Sequence, residues 1–152
     1  MFILIKLSPT LLQSDSPAAA LKQVRSKAGF PIITLGPTYR LEKCELYWVP
    51  YRNPAALPAR KAVHLSYKTK GGDALDLVEA GHRAGREYEN IDRTIWEGYF
   101  PFSRHAQLGG AFTQLIGWRG GTDVGIVGLL PIAKREFISL KLKGKYGILP
   151  TK

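Results

Sequence analysis

The sequence has one cysteine, no long apolar run and few acidic residues. Because Cys44 is alone, the chain offers neither an internal disulfide nor a multi-cysteine metal site. We predict that its thiol is half-buried on a strand. No apolar stretch approaches the roughly 20 residues that cross a bilayer, so the sequence predicts no transmembrane segment.

Motifs that identify common enzymes are absent as well. The sequence contains neither the phosphate-binding pattern GxxxxGK[ST], nor the nucleophile pattern GxSxG, nor the zinc pattern HExxH. The glycines between Gly117 and Gly128 do not fit a dinucleotide-binding loop and are typical of turns and closely packed strands. We therefore predict that the protein is not an enzyme and has no catalytic, cofactor-binding or metal-binding residues.

The three histidines are the remaining candidates for acid–base chemistry. His64, His82 and His105 are 18 and 23 residues apart, and this spacing supports no local metal site. We predict that they are ordinary surface or half-exposed residues. The alternative is a general acid–base pair of His82 with Glu87 or Glu89, although the mixed charges of that stretch favour a solvated connection.

Basic residues outnumber acidic ones by 22 to 12, which gives a net charge of +10. The excess is concentrated in residues 1–70, where 11 Lys or Arg and 3 acidic residues give +8. Residues 71–152 have 11 basic and 9 acidic residues and carry only +2. Such an excess attracts polyanions, which include acidic proteins, nucleic acids and anionic lipids.

The length of 152 residues suits a single domain over residues 1–152. We predict an N-terminal arm over 1–13 and an extended C-terminal tail over 143–152. The first helix is predicted between Ser16, a good N-cap, and Gly29, and the last helix begins near Pro131. Each helix has one apolar stripe. The stripes consist of Leu21, Val24 and Ala28 in the first helix, and of Leu130, Ala133, Phe137 and Leu140 in the last.

Between these helices lie short segments that are typical of strands, and turns separate most of them. In residues 62–68 apolar and polar side chains alternate, as in a half-buried strand. The sequence therefore predicts an α+β fold with a curved antiparallel sheet of about six strands and one helix near each end. The candidate strands are 32–35, 44–49, 62–68, 74–80, 94–102, 111–118 and 122–127.

Aromatic and basic side chains are interleaved around the first long strand. Rings that stack on bases, next to cations that hold phosphates, bind single-stranded nucleic acid on many sheets. Trp and Tyr are equally normal at the rim of a core, so this function is an alternative. The residues of such a surface would be Arg40, Tyr47, Trp48, Arg52, Arg60 and Lys61.

The order of several segments resembles an uncharacterised bacterial domain of cell-envelope proteins and anti-sigma-factor-like regulators, which is related to half-barrel lipoprotein carriers. The resemblance covers roughly residues 20–142 and implies a curved antiparallel sheet with a helix at its concave side. It also implies an extracytoplasmic setting and no catalysis. The segments that carry it are Lys27 to Pro31, Pro37 to Tyr39, Val63 to Tyr67 and Leu115 to Trp118, followed by a glycine-rich turn and a C-terminal helix.

We therefore expect a non-enzymatic binding or assembly module that docks on a protein partner or an envelope complex, and the basic N-terminal half favours an acidic partner. The first alternative is a single-stranded nucleic-acid-binding protein. The second is a carrier of a small apolar ligand. The resemblance implies an extracytoplasmic location, and without it the protein is expected to be cytoplasmic.

Overall fold

The structure is a computed structural model that describes residues 16–49, 60–82 and 112–143. Two helices and five strands form this part of the chain. This confirms the predicted α+β fold with a helix near each end, although the sheet has five strands instead of about six. The candidate strand 94–102, the arm 1–13 and the tail after residue 143 lie outside the described residues. The elements are α1 (Pro17–Lys27), β1 (Arg40–Val49), β2 (Arg60–Lys68), β3 (Ala74–Gly81), β4 (Phe112–Arg119), β5 (Thr122–Leu129) and α2 (Leu130–Ser139).

The strands form one sheet in the order β1-β2-β3-β5-β4, and every neighbouring pair is antiparallel. The predicted hairpin at residues 119–121 is confirmed, because Arg119 pairs with Thr122 across a two-residue turn. Gly120 adopts a φ of 57° in that turn, a conformation that glycine tolerates best. In the turn between β2 and β3, Gly72 has a φ of 86° for the same reason.

Helix α1 begins where the sequence predicts it. The Ser16 side chain accepts a hydrogen bond from the Ala19 N–H at 3.1 Å, and Pro17 occupies the first turn, where its missing N–H costs nothing. The helix ends at Lys27, before Gly29 with its φ of 81°. Val24 is fully buried against the sheet, and the helix packs on β1.

Helix α2 packs on β4 and β5, on the same face of the sheet as α1. A Cβ at Gly117 would lie 2.8 Å from the Phe137 ring, so only glycine allows the helix to come this close. After the helix, the backbones of Trp118 and Lys143 exchange two hydrogen bonds of 2.8 Å. With 11 and 10 residues, α1 and α2 are too short to span a membrane.

The predicted strand at 32–35 is wrong, because residues 31–36 belong to no strand. Side chains satisfy this backbone in place of a neighbouring strand. The Ile33 N–H donates to the Glu79 carboxyl at 2.6 Å, and the Leu35 N–H donates to the Tyr67 hydroxyl at 3.3 Å. Apolar side chains in this segment fill the core beneath α1. The β-like apolar pattern therefore reflects burial in the core and not pairing with a neighbouring strand.

Both faces of the sheet are buried, and this corrects the prediction that the strand over 62–68 is half-buried. The helix-covered face contributes Leu65, Leu77 and Ile126 to the apolar core. The opposite face holds the alternating residues, and His64 and Ser66 are buried there. Because a period-two pattern predicts one buried face and one solvent-exposed face, the polar residues of this strand were expected to be exposed to solvent.

Candidate binding surface and buried histidine sites

Acidic and basic side chains are separated between interior and surface in the described residues. Five of the seven acidic residues are buried, Glu42 is half-buried and only Asp73 is exposed. Eleven Lys or Arg residues are exposed. The surface is therefore more basic than the net charge alone indicates. The buried acids are Glu45, Asp76, Glu79, Asp123 and Glu136. The exposed bases are Lys22, Arg25, Lys27, Arg40, Lys43, Lys70, Arg119, Lys134, Arg135, Lys141 and Lys143.

The separation is most complete on the outer surfaces of α1 and α2 with the adjoining Lys141, which we call the helix layer. It displays six cations and no exposed carboxylate. Helix α1 contains no acidic residue at all. The one acid of α2, Glu136, points inward and accepts a hydrogen bond from the Tyr39 hydroxyl at 2.6 Å. The helix layer is therefore uniformly cationic.

Helix dipoles explain only part of this pattern. Arg25 and Lys27 lie in the last turn of α1, where the partial negative charge of the helix end favours cations. Lys134 and Arg135 lie in the middle of α2, and its last turn contains no basic residue. The cations of α2 thus have no helix-capping role. Arg135 pairs with Glu136 at 3.3 Å, and Lys134 forms no ion pair with any described residue.

An open cleft of about 470 Å³ lies between the segment that leads into β1 and the turn between β2 and β3. Arg40, Lys68 and Lys70 line it. An enclosed apolar cavity, which a carrier of small apolar ligands requires, has a different character from this open, cationic cleft.

On the sheet face opposite the helices, His64 lies between two carboxylates. Its Nε2 is 2.7 Å from the Asp76 Oδ1, and its Nδ1 is 3.7 Å from the Glu45 Oε1. The second contact is an ion pair that is too long for a hydrogen bond. Glu45 also accepts from the Tyr47 hydroxyl at 2.8 Å and pairs with Lys43 at 3.3 Å. Strand pairing creates the site, because Glu45 lies opposite His64 across the β1–β2 ladder.

The surroundings favour the ionised forms of both His64 and Glu45. Burial lowers the pKa of His64, but the hydrogen bond to Asp76 and the charge of Glu45 outweigh it and raise the pKa. Burial raises the pKa of Glu45, yet His64, Tyr47 and Lys43 together lower it to about 2. The charges of Lys43 and His64 balance those of Glu45 and Asp76, as a buried ionic network requires.

The cluster does not have the geometry of a Ser–His–Asp triad. In a triad the carboxylate and the serine bond to opposite ring nitrogens. Here the Ser66 Oγ lies 3.2 Å from the same Nε2 that contacts Asp76. A charged imidazolium has no lone pair with which to take a proton from Ser66, and this serine is buried. The arrangement fits a structural ion network.

The second histidine–carboxylate pair is closer to the surface. His82 Nδ1 lies 2.6 Å from the Asp123 Oδ1, and the imidazole stacks on Trp118 with ring centroids 4.7 Å apart. Because a carboxylate only accepts, Nδ1 carries the proton of this contact. Sequence reasoning missed this pair, since Asp123 is 41 residues from His82. Glu87, Glu89 and His105 lie outside the described residues.

Two further titratable groups are buried on the helix-covered face and are not exposed to reagents or ligands. Glu79 is fully buried, and burial raises its pKa well above the ordinary value, so the neutral acid is favoured. Cys44 is buried and not half-buried as predicted. Burial is the main cause that raises the pKa of its thiol to about 12. A thiol in this state is a poor nucleophile.

The residues of the alternative nucleic-acid surface do not share one face. Trp48 is 53% exposed, and the Lys61 Nζ lies 5.4 Å from its ring centroid. Tyr47 points to the other face, where it is buried and bound to Glu45. Arg40 lies at the opposite end of β1 from Trp48. Arg60 is the first residue of β2, with its side chain outside the described part, and Arg52 lies outside it altogether.

Compared with known proteins, the chain matches no family model, no curated protein and no solved structure. Its function is therefore inferred from its own geometry.

Proposed function

We propose that this chain is a non-enzymatic binding module that docks on the acidic surface of a protein partner. The observation that carries the proposal is the helix layer, where six cations are exposed, no carboxylate is exposed, and only Arg135 is paired with a described acid, the inward-facing Glu136 at 3.3 Å. Surface charge of one sign attracts a partner of the opposite sign and accelerates its association. Because the one carboxylate of the two helices is turned inward, within the described residues it pairs with Arg135 alone and leaves the other five cations without an ion pair.

The chemistry of the buried titratable groups supports a binding role. The His64 cluster is charge-balanced and closed, and the Cys44 thiol is protonated and buried. His82 is the exception, because its pairing with Asp123 meets one requirement for general-base chemistry. A base also needs a nucleophile or a substrate proton within reach, and the described residues offer no such group next to it.

A protein partner is favoured over single-stranded nucleic acid because of the positions of the aromatic rings. Stacking platforms for bases use several exposed rings along one face. On β1, Trp48 is exposed while the neighbouring Tyr47 is buried. The pair of Trp48 and Lys61 keeps nucleic-acid binding as the second candidate, since one ring and one cation can hold a single nucleotide.

Fluorescence anisotropy with three labelled probes of equal length tests the proposal. The probes are a Glu-rich peptide, its Gln-rich counterpart and a single-stranded oligonucleotide, each measured at about 50 mM and about 300 mM salt. We expect the Glu-rich peptide to bind more tightly than both others and to weaken with salt. Absence of binding at low salt contradicts the proposal, and tighter binding of the oligonucleotide replaces it with the second candidate.

A matched pair of single variants separates docking from simple net charge. Lys134→Gln removes a cation of the helix layer, whereas Lys143→Gln removes an exposed cation elsewhere. The first variant should weaken peptide binding about twofold to threefold and the second should change it little. Equal losses would show that binding follows total charge and that the helix layer is not the docking surface.

The wider setting belongs to the same proposal. The antiparallel sheet with a helix near each end is the kind of architecture that the resemblance to cell-envelope domains implies. We propose an extracytoplasmic location and a place in a larger complex. Cell fractionation and the size of the native assembly test both points, since a cytoplasmic protein that elutes as a monomer would contradict them.

A further inference from the structure

The cationic cleft has walls from two segments that are held rigidly. Residues 37–40 form one wall, and the other consists of Lys68, Thr69, Lys70 and Gly72. The turn that follows β2 is fixed by its own hydrogen bonds, from the Thr69 N–H to the Asp73 carbonyl at 3.0 Å and from the Asp73 N–H to the Thr69 hydroxyl at 3.1 Å. A cleft with fixed walls loses little entropy when a ligand enters.

Two of the cations in the cleft already share a carboxylate of the chain itself. Arg40 and Lys68 lie directly opposite each other in the β1–β2 ladder, where like charges repel. The register shifts between Leu41 and Lys43, and the Glu42 Oε2 lies 3.3 Å from the Arg40 Nη2 and 3.8 Å from the Lys68 Nζ. This cation pair is thus already arranged to receive a carboxylate.

The charge of the cleft remains positive after this pairing. Lys70 is exposed and has no ion-pair partner among the described residues. Glu42 offsets one of the three cations, and Asp73 belongs to the same turn but does not line the cleft. Three cations against one carboxylate leave a net positive site that attracts anions in general. The observation that points to a carboxylate is Glu42, whose own carboxylate is already held between Arg40 and Lys68.

The cleft is connected to the helix layer through Tyr39. This residue lines the cleft, and its hydroxyl donates to the Glu136 carboxylate at 2.6 Å and accepts from the Arg135 guanidinium at 2.8 Å. Arg135 itself is exposed on α2. A peptide that leaves the cleft along this side would therefore meet the cations of α2.

We propose that the cleft lined by Arg40, Lys68 and Lys70 binds a Glu or Asp side chain from an extended acidic segment of the partner. This inference rests on the proposed function and specifies its anchoring point. The volume of about 470 Å³ exceeds the space of a single anion and accommodates the neighbouring peptide atoms as well. Glu42 then acts as an internal competitor, which the incoming carboxylate displaces from its two cations.

Binding of the labelled Glu-rich peptide to the full chain tests this anchoring. Lys68→Gln with Lys70→Gln should weaken binding roughly fivefold to tenfold, since two exposed ion pairs are lost. Unchanged circular dichroism and melting temperature would confirm that the variant folds. If the wild type binds no peptide, the proposed function itself fails. If the wild type binds and this variant binds equally well, only the cleft is wrong.

Removal of the internal competitor gives a result that a general effect of charge does not produce. Glu42→Gln and Asp73→Asn each raise the net charge by one, but only Glu42 contacts the cations of the cleft. We expect Glu42→Gln to tighten peptide binding about threefold and Asp73→Asn to change it by much less. Equal effects of the two variants, or displacement of the peptide by inorganic phosphate at lower concentrations than by glutamate, would overturn the inference.

Discussion

The two faces of the sheet treat buried acids differently. On the helix-covered face Glu79 forms no salt bridge with any described residue, and burial keeps it neutral as the acceptor for the Ile33 N–H. On the opposite face Glu45 and Asp76 remain charged around His64. On the helix-covered face the buried acid is neutral because it is protonated, and on the opposite face ion pairs balance the negative charge.

Both solutions have the same consequence for the outside of the molecule. Carboxylates that are neutral or paired inside contribute no negative field at the surface, so the exposed Lys and Arg dominate there. Burial of ionisable groups is costly for stability unless they are paired or neutral. The uniformly cationic helix layer is therefore accompanied by a loss of stability from the buried acids.

The largest expected effect comes from breaking the paired face. Asp76→Asn keeps an oxygen acceptor at the 2.7 Å contact but removes the negative charge that pairs with the buried His64. We expect the free energy of unfolding to fall by about 3 to 5 kcal/mol, as measured by urea denaturation. The exposed Asp73→Asn is the matched control and should change it by less than about 0.5 kcal/mol. Similar values for both variants would contradict the ion network.

The two faces should also respond to pH with opposite signs. The pKa of Glu45 is lowered to about 2, so its stabilisation is present above pH 4.5 and is lost as the pH falls toward 2, by about 3 kcal/mol in total. The pKa of Glu79 is raised, so its contribution is present below pH 4.5 and is lost as the pH rises through the folded-state pKa.

Urea unfolding of Glu45→Gln and Glu79→Gln across this pH range measures the difference. Relative to the wild type, Glu45→Gln should become less stable as the pH rises from 2 to 4.5. Glu79→Gln should gain stability relative to the wild type above pH 4.5, by at most about 1.4 kcal/mol per pH unit. Difference curves with the same slope would show that the two acids do not differ.

A smaller effect is expected where an acid of the helix layer is turned inward. Glu136→Gln keeps an acceptor for the Tyr39 hydroxyl but removes its charge. The free energy of unfolding should fall by about 1 kcal/mol, because a hydrogen bond to a charged group becomes one between neutral groups. Tyr39→Phe is the control that removes the same bond from the other side. If only one of the two variants loses stability, the effect does not come from the hydrogen bond between Tyr39 and Glu136.

The smallest effect is expected from the exposed cations. Lys22→Gln and Lys134→Gln should each change the free energy of unfolding by less than about 0.5 kcal/mol, since neither forms an ion pair within the described residues. Thermal unfolding at low and high salt measures this. A large loss of stability would show that these lysines serve the fold, and it would remove the reason to assign them to a partner.

The elements of the fold were predictable because local signals determine them. Ser16 and Pro17 fix the start of α1, and the glycines after Arg119 fix a hairpin. The site was less accessible, since Glu45, His64 and Asp76 come from three strands and meet only through their register. The segment 32–35 was mistaken for a strand because its partners are side chains distant in sequence.

Carboxylate labelling with a carbodiimide and an amine, followed by mass spectrometry, tests most directly that acids lie inside and bases outside. In the native protein Asp73 should be labelled readily. The five buried acids should be labelled only after unfolding, and they are Glu45, Asp76, Glu79, Asp123 and Glu136. If these five react in the native protein as fast as Asp73, the cationic surface and the docking role inferred from it are both contradicted.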